Sequence, residues 1–461
     1  MSISAEAGPA ATRPARIATR PITIAWTAAA VICGLALLAP ALWNGFPLIQ
    51  YDTGGYLARW HEGYLVPSRS TVYGMFLFLL KGLDFWPAVI VQSGLTVWLL
   101  ALVLRVHGLG PRTLAATTAV LCVGTSLPWL AAILLTDIFA GLSVLALHLL
   151  LFRYPDLSTA NRLALVGLVA FAAATHTATI AILLGLVCCA GLLWLWRGSP
   201  VSAAGLRRGA VSLVLGAVLL VGTNYALSGR VAWTPGGYGI LFARMMQDGI
   251  VKRYLDDRCP DPRLRLCEHR NEFPPTADDF LWGGGLFDRL GRFAAMDPEM
   301  RLIVLESLRA YPGRQISAAL EAIGLQLVKV GSGEGVIEDV WHTRGMIEQH
   351  APAAAAAMNA SRQIAGDITF ETLNRLHIPL ALLSLAALPV VMLLARRRRD
   401  LAAVGLLAGT VTLAYLGNAA ICAGISNAHD RYGARLAWLA TFVVLIAVAQ
   451  RLRREFTAAG P

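Results

Sequence analysis

Charged residues are scarce in this sequence. Only 15% of its 461 residues are charged, 56% are hydrophobic, and the mean hydropathy is +0.60. Soluble globular proteins carry about 25% charged residues, so this chain lacks the polar residues that a water-facing surface needs. The composition excludes an ordinary soluble fold and predicts an all-α membrane protein with several spans.

Lysine is nearly absent, with three residues among the 39 basic ones. The net charge of +11 and the pI near 9.6 would suggest nucleic-acid binding in a soluble protein. In a membrane protein the basic residues must first be assigned to the two sides of the bilayer. That assignment accounts for the charge, and we expect no nucleic-acid partner.

About ten apolar runs are candidate membrane spans. A spanning helix needs about 20 mostly apolar residues to cross the hydrocarbon core. The runs are 22–43, 85–104, 113–132, 137–152, 163–174, 178–196, 209–227, 378–395, 401–422 and 436–450. Residues 163–196 could instead form one long span interrupted at Thr175, His176 and Thr177, but their length favours a hairpin.

The arginines predict that both termini are cytoplasmic. With the N-terminus inside, the cytoplasmic segments hold 17 basic and four acidic residues, and the external ones hold 22 basic and 24 acidic residues. This distribution follows the positive-inside rule. The chain is predicted to divide into cytoplasmic tails at 1–21 and 451–461 and a membrane domain in two parts, 22–227 and 378–450. The first part contains an external loop at 44–84. A mainly helical external insertion at 228–377 lies between spans seven and eight.

Cysteine is also sparse, and five of the seven cysteines fall inside predicted spans. The other two, Cys259 and Cys267, lie eight residues apart in the insertion. In an oxidising external compartment this spacing favours a disulfide. Zinc binding is the weaker alternative, because only His269 lies nearby as a further ligand.

Familiar catalytic motifs are missing, since the sequence has no phosphate-binding loop, zinc-ligand set or nucleophile elbow. What remains is a set of ionisable residues at the predicted external ends of the spans. Such residues are costly near a bilayer and are functional candidates by default. They are Asp52, Arg69, Asp137, His176, His429, Asp430 and Arg431.

These residues also have structural interpretations. Asp52 could cap a helix that begins at Thr53, Asp137 could stabilise a helix N-terminus, and His176 could be a polar residue at a helix turn. Asp430 and Arg431 could form an ion pair that fixes the topology. Against this, all seven map to one side of the membrane. Together they offer carboxylates that could act as a base or hold a divalent metal, and guanidinium groups suited to a phosphate.

The first external loop carries a family resemblance. The stretch Phe46-Pro-Leu-Ile-Gln-Tyr-Asp52-Thr-Gly-Gly-Tyr56-Leu57, with Asp137 after the third span, resembles the GT-C superfamily of integral membrane glycosyltransferases. The chain also resembles a group of bacterial multi-pass membrane proteins with a similar loop, a two-cysteine insertion and a His-Asp-Arg-Tyr turn. The GT-C resemblance implies that Asp52 removes the acceptor's proton and that the donor is a polyprenyl-phosphate sugar.

The leading hypothesis is therefore a glycosyltransferase in the bacterial inner membrane that acts at the periplasmic face on an envelope glycan or lipid acceptor. In this hypothesis Asp52 and Asp137 are catalytic, and Arg69, His176, His429, Asp430 and Arg431 bind substrate. One alternative is a transporter or flippase of envelope lipids or glycans. Another is a non-catalytic envelope assembly protein whose insertion binds a partner.

Overall fold

The computed structural model describes residues 24–63, 65, 69–234 and 237–458, which form helices joined by loops and contain no β-strand. The predicted tail at 1–21 lies outside these residues, as does the end of the tail at 451–461. The helices are α1 (Ile24–Asn44), α2 (Tyr51–Glu62), α3 (Thr71–Leu79), α4 (Trp86–Val106), α5 (Pro111–Gly124), α6 (Leu127–Ala132), α7 (Asp137–Arg153), α8 (Thr159–Thr175), α9 (Thr177–Trp194), α10 (Ala203–Ser228), α11 (Gly237–Gln247), α12 (Ile250–Arg258), α13 (Ala277–Trp282), α14 (Leu286–Arg289), α15 (Arg292–Ala310), α16 (Pro312–Gln326), α17 (Trp341–His350), α18 (Pro352–Asn359), α19 (Glu371–Arg397), α20 (Ala402–Ile425) and α21 (Asp430–Ala458).

Eight of these helices are long and apolar enough to cross a membrane, counted over the described residues. They are α1, α4, α7, α9, α10, α19, α20 and α21. This is the architecture of a multi-pass membrane protein, and each of the eight matches one of the ten apolar runs. The count of about ten is not confirmed, because the runs at 113–132 and 163–174 form shorter helices.

The run at 113–132 is broken into two helices. Helix α5 ends at Gly124, Thr125 has an extended backbone, and α6 begins at Leu127. Pro128 lies in the first turn of α6. Its ring would clash with the carbonyl group of Gly124 in a continuous helix, and Pro is tolerated only in a first turn. The chain therefore starts a new helix.

Residues 163–196 form two helices rather than one long span. Helix α8 has 17 residues and ends at Thr175, and α9 begins at Thr177. His176 between them has an extended backbone (φ −153°, ψ 127°), and its side chain caps α9. The interruption at His176 thus separates the two helices, which pack against each other.

The predicted insertion at 228–377 divides into two parts. Residues 237–311, which we call the outer subdomain, have their own hydrophobic core built around Phe242, Phe280 and Met300. The later part packs elsewhere, because Val340, Ile347 and other side chains belong to the main core of the membrane helices. The described part of the insertion is therefore mainly helical, and only its first half has a core of its own.

Candidate functional site

The segment before Asp52 is fastened to the segment before Asp137. Leu48 donates a backbone hydrogen bond to Ala132 (3.0 Å) and accepts one from Leu134 (2.8 Å). The Thr53 hydroxyl also donates to the Leu134 carbonyl oxygen (2.9 Å). These bonds bring the start of α2 beside the start of α7, and with them the two carboxylates.

Asp52 lies in the first turn of α2 but does not cap it. The N-cap is Gln50, whose side-chain oxygen accepts a hydrogen bond from the Asp52 N–H (3.0 Å), while the Thr53 hydroxyl accepts from the Gln50 N–H (3.0 Å). This reciprocal pair satisfies the helix N-terminus. The Asp52 carboxylate is thereby left for contacts outside its own helix, and the interpretation of Asp52 as a cap is wrong.

Two arginines flank the buried Asp52 carboxylate. Arg69 Nη2 pairs with Oδ1, and Arg431 Nη1 pairs with Oδ2 at 3.0 Å. Burial alone would raise the pKa of Asp52, but the positive charges of Arg69 and Arg431 outweigh it and lower that pKa below its ordinary value. Asp52 is therefore a carboxylate at neutral pH.

Positive and negative side chains continue to alternate from Arg431 to Asp137 of α7 and Arg435 of α21. Arg431 Nε lies 3.7 Å from Asp137 Oδ2, and Arg435 Nη1 lies 3.4 Å from Asp137 Oδ1. We call Arg69, Asp52, Arg431, Asp137 and Arg435 the charge chain. It contains three guanidinium groups and two carboxylates.

The junction between Arg431 and Asp137 is looser than the others. Neither Arg431 Nε nor Asp137 Oδ2 has a hydrogen-bond partner within the described residues, and both atoms are buried. A separation of 3.7 Å is an electrostatic contact but too long for a good hydrogen bond. Arg431 thus has one N–H group without a hydrogen-bond acceptor among the described residues.

Arg435 was not among the predicted site residues, although its side chain is fully buried. Its Nη2 and Nε donate to Asn418 Oδ1 at 2.6 and 3.1 Å. Its position four residues after Arg431 on α21 is a signal that the sequence contains, because residues i and i+4 share a helix face. Asn418 itself carries no comparable signal.

A glycine-rich segment that the sequence analysis did not select reaches the site from α16. We call Gly331-Ser332-Gly333-Glu334-Gly335 the glycine loop. Glu334 Oε2 accepts a hydrogen bond from the Arg431 N–H (2.8 Å), and Oε1 contacts His429 Nδ1 (2.8 Å). Burial would raise the pKa of Glu334, but His429 and Arg431 lower it, so Glu334 is ionised.

The side chains of His429 and Asp430 form hydrogen bonds with the glycine loop and not with Asp52. Asp430 Oδ1 accepts a hydrogen bond from the Gly331 N–H (2.7 Å), and His429 Nε2 lies 3.3 Å from Asp278 Oδ2 on α13. These contacts give both residues a structural role at the edge of the site. Their predicted role in substrate binding stays a prediction.

His176 lies close enough to the charge chain to be affected by it. Burial, and then the positive charges of Arg435, Arg431 and Arg69, lower the pKa of His176 well below its ordinary value. Its Nδ1 accepts a hydrogen bond from the Ala178 N–H (3.2 Å), which is the N-cap bond of α9. His176 is therefore a neutral cap.

The outer subdomain covers the site through α13. The Arg69 guanidinium carbon lies 5.7 Å from the centre of the Trp282 ring, and Asp278 contacts His429. With this cover in place, the side chains of Asp52, Arg69 and Arg431 are only 11, 17 and 15% exposed. The site is therefore nearly closed to water.

The other predicted features lie apart from the charge chain. Cys259 and Cys267 are joined by a disulfide in the outer subdomain. Among the described residues no three histidine, cysteine or acidic side chains are grouped so as to hold a metal.

Comparison of the chain with protein-family models, with curated proteins and with solved structures found no match in any of the three.

Proposed function

We propose that this protein is a glycosyltransferase of the bacterial inner membrane that moves a sugar from a polyprenyl-phosphate donor to an envelope glycan or lipid acceptor. The charge chain carries the proposal. It joins two carboxylates and three arginines at one end of the apolar helices. Guanidinium groups suit a phosphate, and an ionised carboxylate suits proton removal.

In this proposal the acceptor oxygen forms a bond to the anomeric carbon of the donor sugar from the side opposite the phosphate. The bond between that carbon and the phosphate oxygen breaks, and its electron pair leaves with the polyprenyl phosphate. Asp52 takes the proton of the acceptor hydroxyl group. The configuration at the anomeric carbon is inverted, and positioning and charge stabilisation account for most of the rate.

The arginines link donor binding to the basicity of Asp52. A carboxylate held by two guanidinium groups is a weak base, because its pKa is low. A donor phosphate that engages Arg69 and Arg431 partly neutralises them, and the pKa of Asp52 then rises toward its ordinary value. Asp137 and Arg435 keep Arg431 in place while its other contacts change. Binding of the donor thus prepares the base.

The aromatic cover suits the acceptor. Trp282 lies over Arg69 and is 44% exposed, so part of its surface remains open beside the charge chain. Sugar rings present C–H faces that pack on aromatic rings, and the outer subdomain surrounds this position. We assign the choice of acceptor to this region and the chemistry to the charge chain.

The test is Asp52→Asn in purified protein reconstituted with polyprenyl-phosphate sugars and envelope acceptors. We expect transfer to be lost in a protein that still folds, with a lower unfolding temperature because the buried ion pairs of Asp52 with Arg69 and Arg431 are gone. Asp84→Asn makes the same change elsewhere in the first loop and should keep full activity. Unchanged transfer in Asp52→Asn would reject Asp52 as the base.

Phosphate binding is tested separately by native mass spectrometry with polyprenyl phosphate. Asp52→Asn should retain this lipid, whereas Arg431→Gln should lose at least tenfold in affinity because a charged hydrogen-bond donor is gone. Equal affinity in wild type and Arg431→Gln would reject the assignment of the phosphate site. Movement of the lipid between leaflets without any transfer would favour the transporter alternative instead.

A further inference from the structure

Helix α16 was predicted to belong to a soluble insertion, but it packs along a membrane helix. Ile323 lies against Gly424 near the end of α20. The Tyr415 hydroxyl group donates a hydrogen bond to the Leu327 carbonyl oxygen (3.0 Å). Tyr415 is ten residues, or about 15 Å of helix, before the end of α20 at Ile425. The C-terminal end of α16 is therefore beside the apolar span, not above it.

One face of α16 presents apolar side chains that the protein leaves uncovered. Ile316 and Leu320 are 62 and 63% exposed, and Val328, just past the helix, is 56% exposed. A spacing of four residues places Ile316 and Leu320 on the same side of the helix. Soluble proteins rarely leave such a row in water.

The surroundings of this face distinguish lipid from a protein partner. Leu416 and Ile425 of α20 are 47 and 51% exposed, so the adjoining span presents apolar side chains of the same kind. Arg309 in the last turn of α15 and Arg314 in the first turn of α16 are exposed, at the end of α16 opposite Leu327. Apolar residues below basic residues match the order of acyl chains and phosphate groups in one leaflet.

We propose that α16 is a membrane-interface helix whose Ile316, Leu320 and Val328 contact the acyl chains of phospholipids. Arg309 and Arg314 lie at the level of the lipid phosphates. The helix spans 15 residues and leads within a few residues into the glycine loop. Glu334 therefore approaches Arg431 from the membrane interface. This inference does not depend on the proposed function.

The opposite side of α16 supplies a matched control. Arg244 Nη2 donates to the Ala318 carbonyl oxygen (3.0 Å), and Glu321 acts electrostatically on Asp248 of the outer subdomain. Leu320 and Glu321 are neighbours in sequence and both are exposed, yet in this proposal one faces lipid and the other faces the subdomain and water.

The experiment places a spin label at Leu320→Cys or Glu321→Cys in the full-length protein in phospholipid nanodiscs. The exposed Cys188 and Cys189 are first replaced by Ala. Relaxation by oxygen, which partitions into lipid, is compared with relaxation by a water-soluble nickel chelate. We expect the ratio of oxygen to nickel accessibility to be several-fold higher at position 320 than at position 321.

Two reference positions fix the scale of this measurement. Ile425→Cys marks the lipid-facing end of α20, and Arg253→Cys marks the outer subdomain in water. A ratio at position 320 equal to that at position 253 would overturn the proposal. Should Leu320→Cys fail to fold, Ile316→Cys lies on the same face and gives the same readout.

Discussion

The Arg431 side chain bridges two buried carboxylates, and its removal should cost more than the loss of an ordinary surface ion pair. Removing one partner of a buried pair costs about 3–5 kcal/mol where the remaining charge is left uncompensated. Asp52 and Asp137 keep Arg69 and Arg435 as partners, so the cost here should lie below that range. We expect Arg431→Gln to lower the unfolding temperature clearly in detergent or nanodiscs. Arg375→Gln, which breaks the exposed pair with Glu371, should change the stability by less than about 1 kcal/mol.

A second substitution distinguishes charge from packing. Asp137 pairs with both Arg431 and Arg435, so Asp137→Asn should destabilise the protein, and by less in the Arg431→Gln background, where one of its two partners is already gone. Contacting residues show such non-additivity in a double-mutant cycle. Strictly additive effects of the two substitutions would mean that the Arg431–Asp137 contact does not stabilise the protein.

His176 gives the protein a pH dependence of predictable sign. Its pKa is lowered by burial and by the nearby arginines, so the unfolded chain binds a proton at a higher pH than the folded chain does. Stability should fall as the pH drops below about 6.5, the ordinary pKa of histidine, with a slope of up to about 1.4 kcal/mol per pH unit for this group. The measurement is the unfolding temperature between pH 7.5 and pH 5.

The control for His176 is Asn, because an Asn side chain can still cap α9 but does not titrate. We expect the unfolding temperature of His176→Asn to fall less than that of the wild type over this pH range. Parallel curves for the two proteins would show that His176 does not take up a proton on unfolding.

Sequence analysis could select most members of the charge chain, but not how they connect. Asp52, Arg69, Asp137 and Arg431 stand out because ionisable residues are rare beside apolar spans. Which carboxylate meets which arginine depends on contacts between residues nearly 400 positions apart, such as Arg431 with Asp52. Glu334 stayed unnoticed because it lies in a polar stretch, where one more acid carries no signal.

At the level of elements, the glycine loop should tolerate side chains poorly. Gly333 has φ +86°, and a Cβ atom there would overlap the ring of Phe370. Left-handed backbone and a rigid neighbour both penalise any larger residue. We expect Gly333→Ala to lower stability by at least about 1–2 kcal/mol, measured by thermal unfolding.

Gly324 is the matched control for Gly333. It lies inside α16 at an exposed position where nothing would contact an added Cβ atom. Because Ala is the better helix former, Gly324→Ala should stabilise the protein by up to about 1 kcal/mol. Equal destabilisation by both substitutions would contradict the packing of the glycine loop.

The elements also show where hydropathy patterns fail. The eight long helices follow from apolar runs alone, and the break before α6 has a visible signal in Pro128. The position of α16 has none, because a 15-residue amphipathic helix suits a soluble domain as well as an interface. Its contacts with α20 show that α16 lies beside a membrane helix, and the local amino-acid composition does not predict such tertiary contacts.

At the scale of the whole molecule, the charge distribution predicts which way the bundle faces. Helix α19 carries this asymmetry within one element, since it begins at Glu371 and runs into four consecutive arginines at 396–399. The positive-inside rule places the arginine-rich end in the cytoplasm. This prediction would put the charge chain on the external side, as the proposed function requires.

Single cysteines at the two ends of α19 test this orientation. Arg375→Cys and Arg397→Cys lie at exposed positions of the same helix, so they differ in side of the membrane rather than in local structure. With Cys188 and Cys189 replaced by Ala, an impermeant maleimide applied to intact spheroplasts should label position 375, and position 397 only after permeabilisation. The reverse pattern would place Asp52 in the cytoplasm, where the proposed periplasmic reaction would lack its substrates.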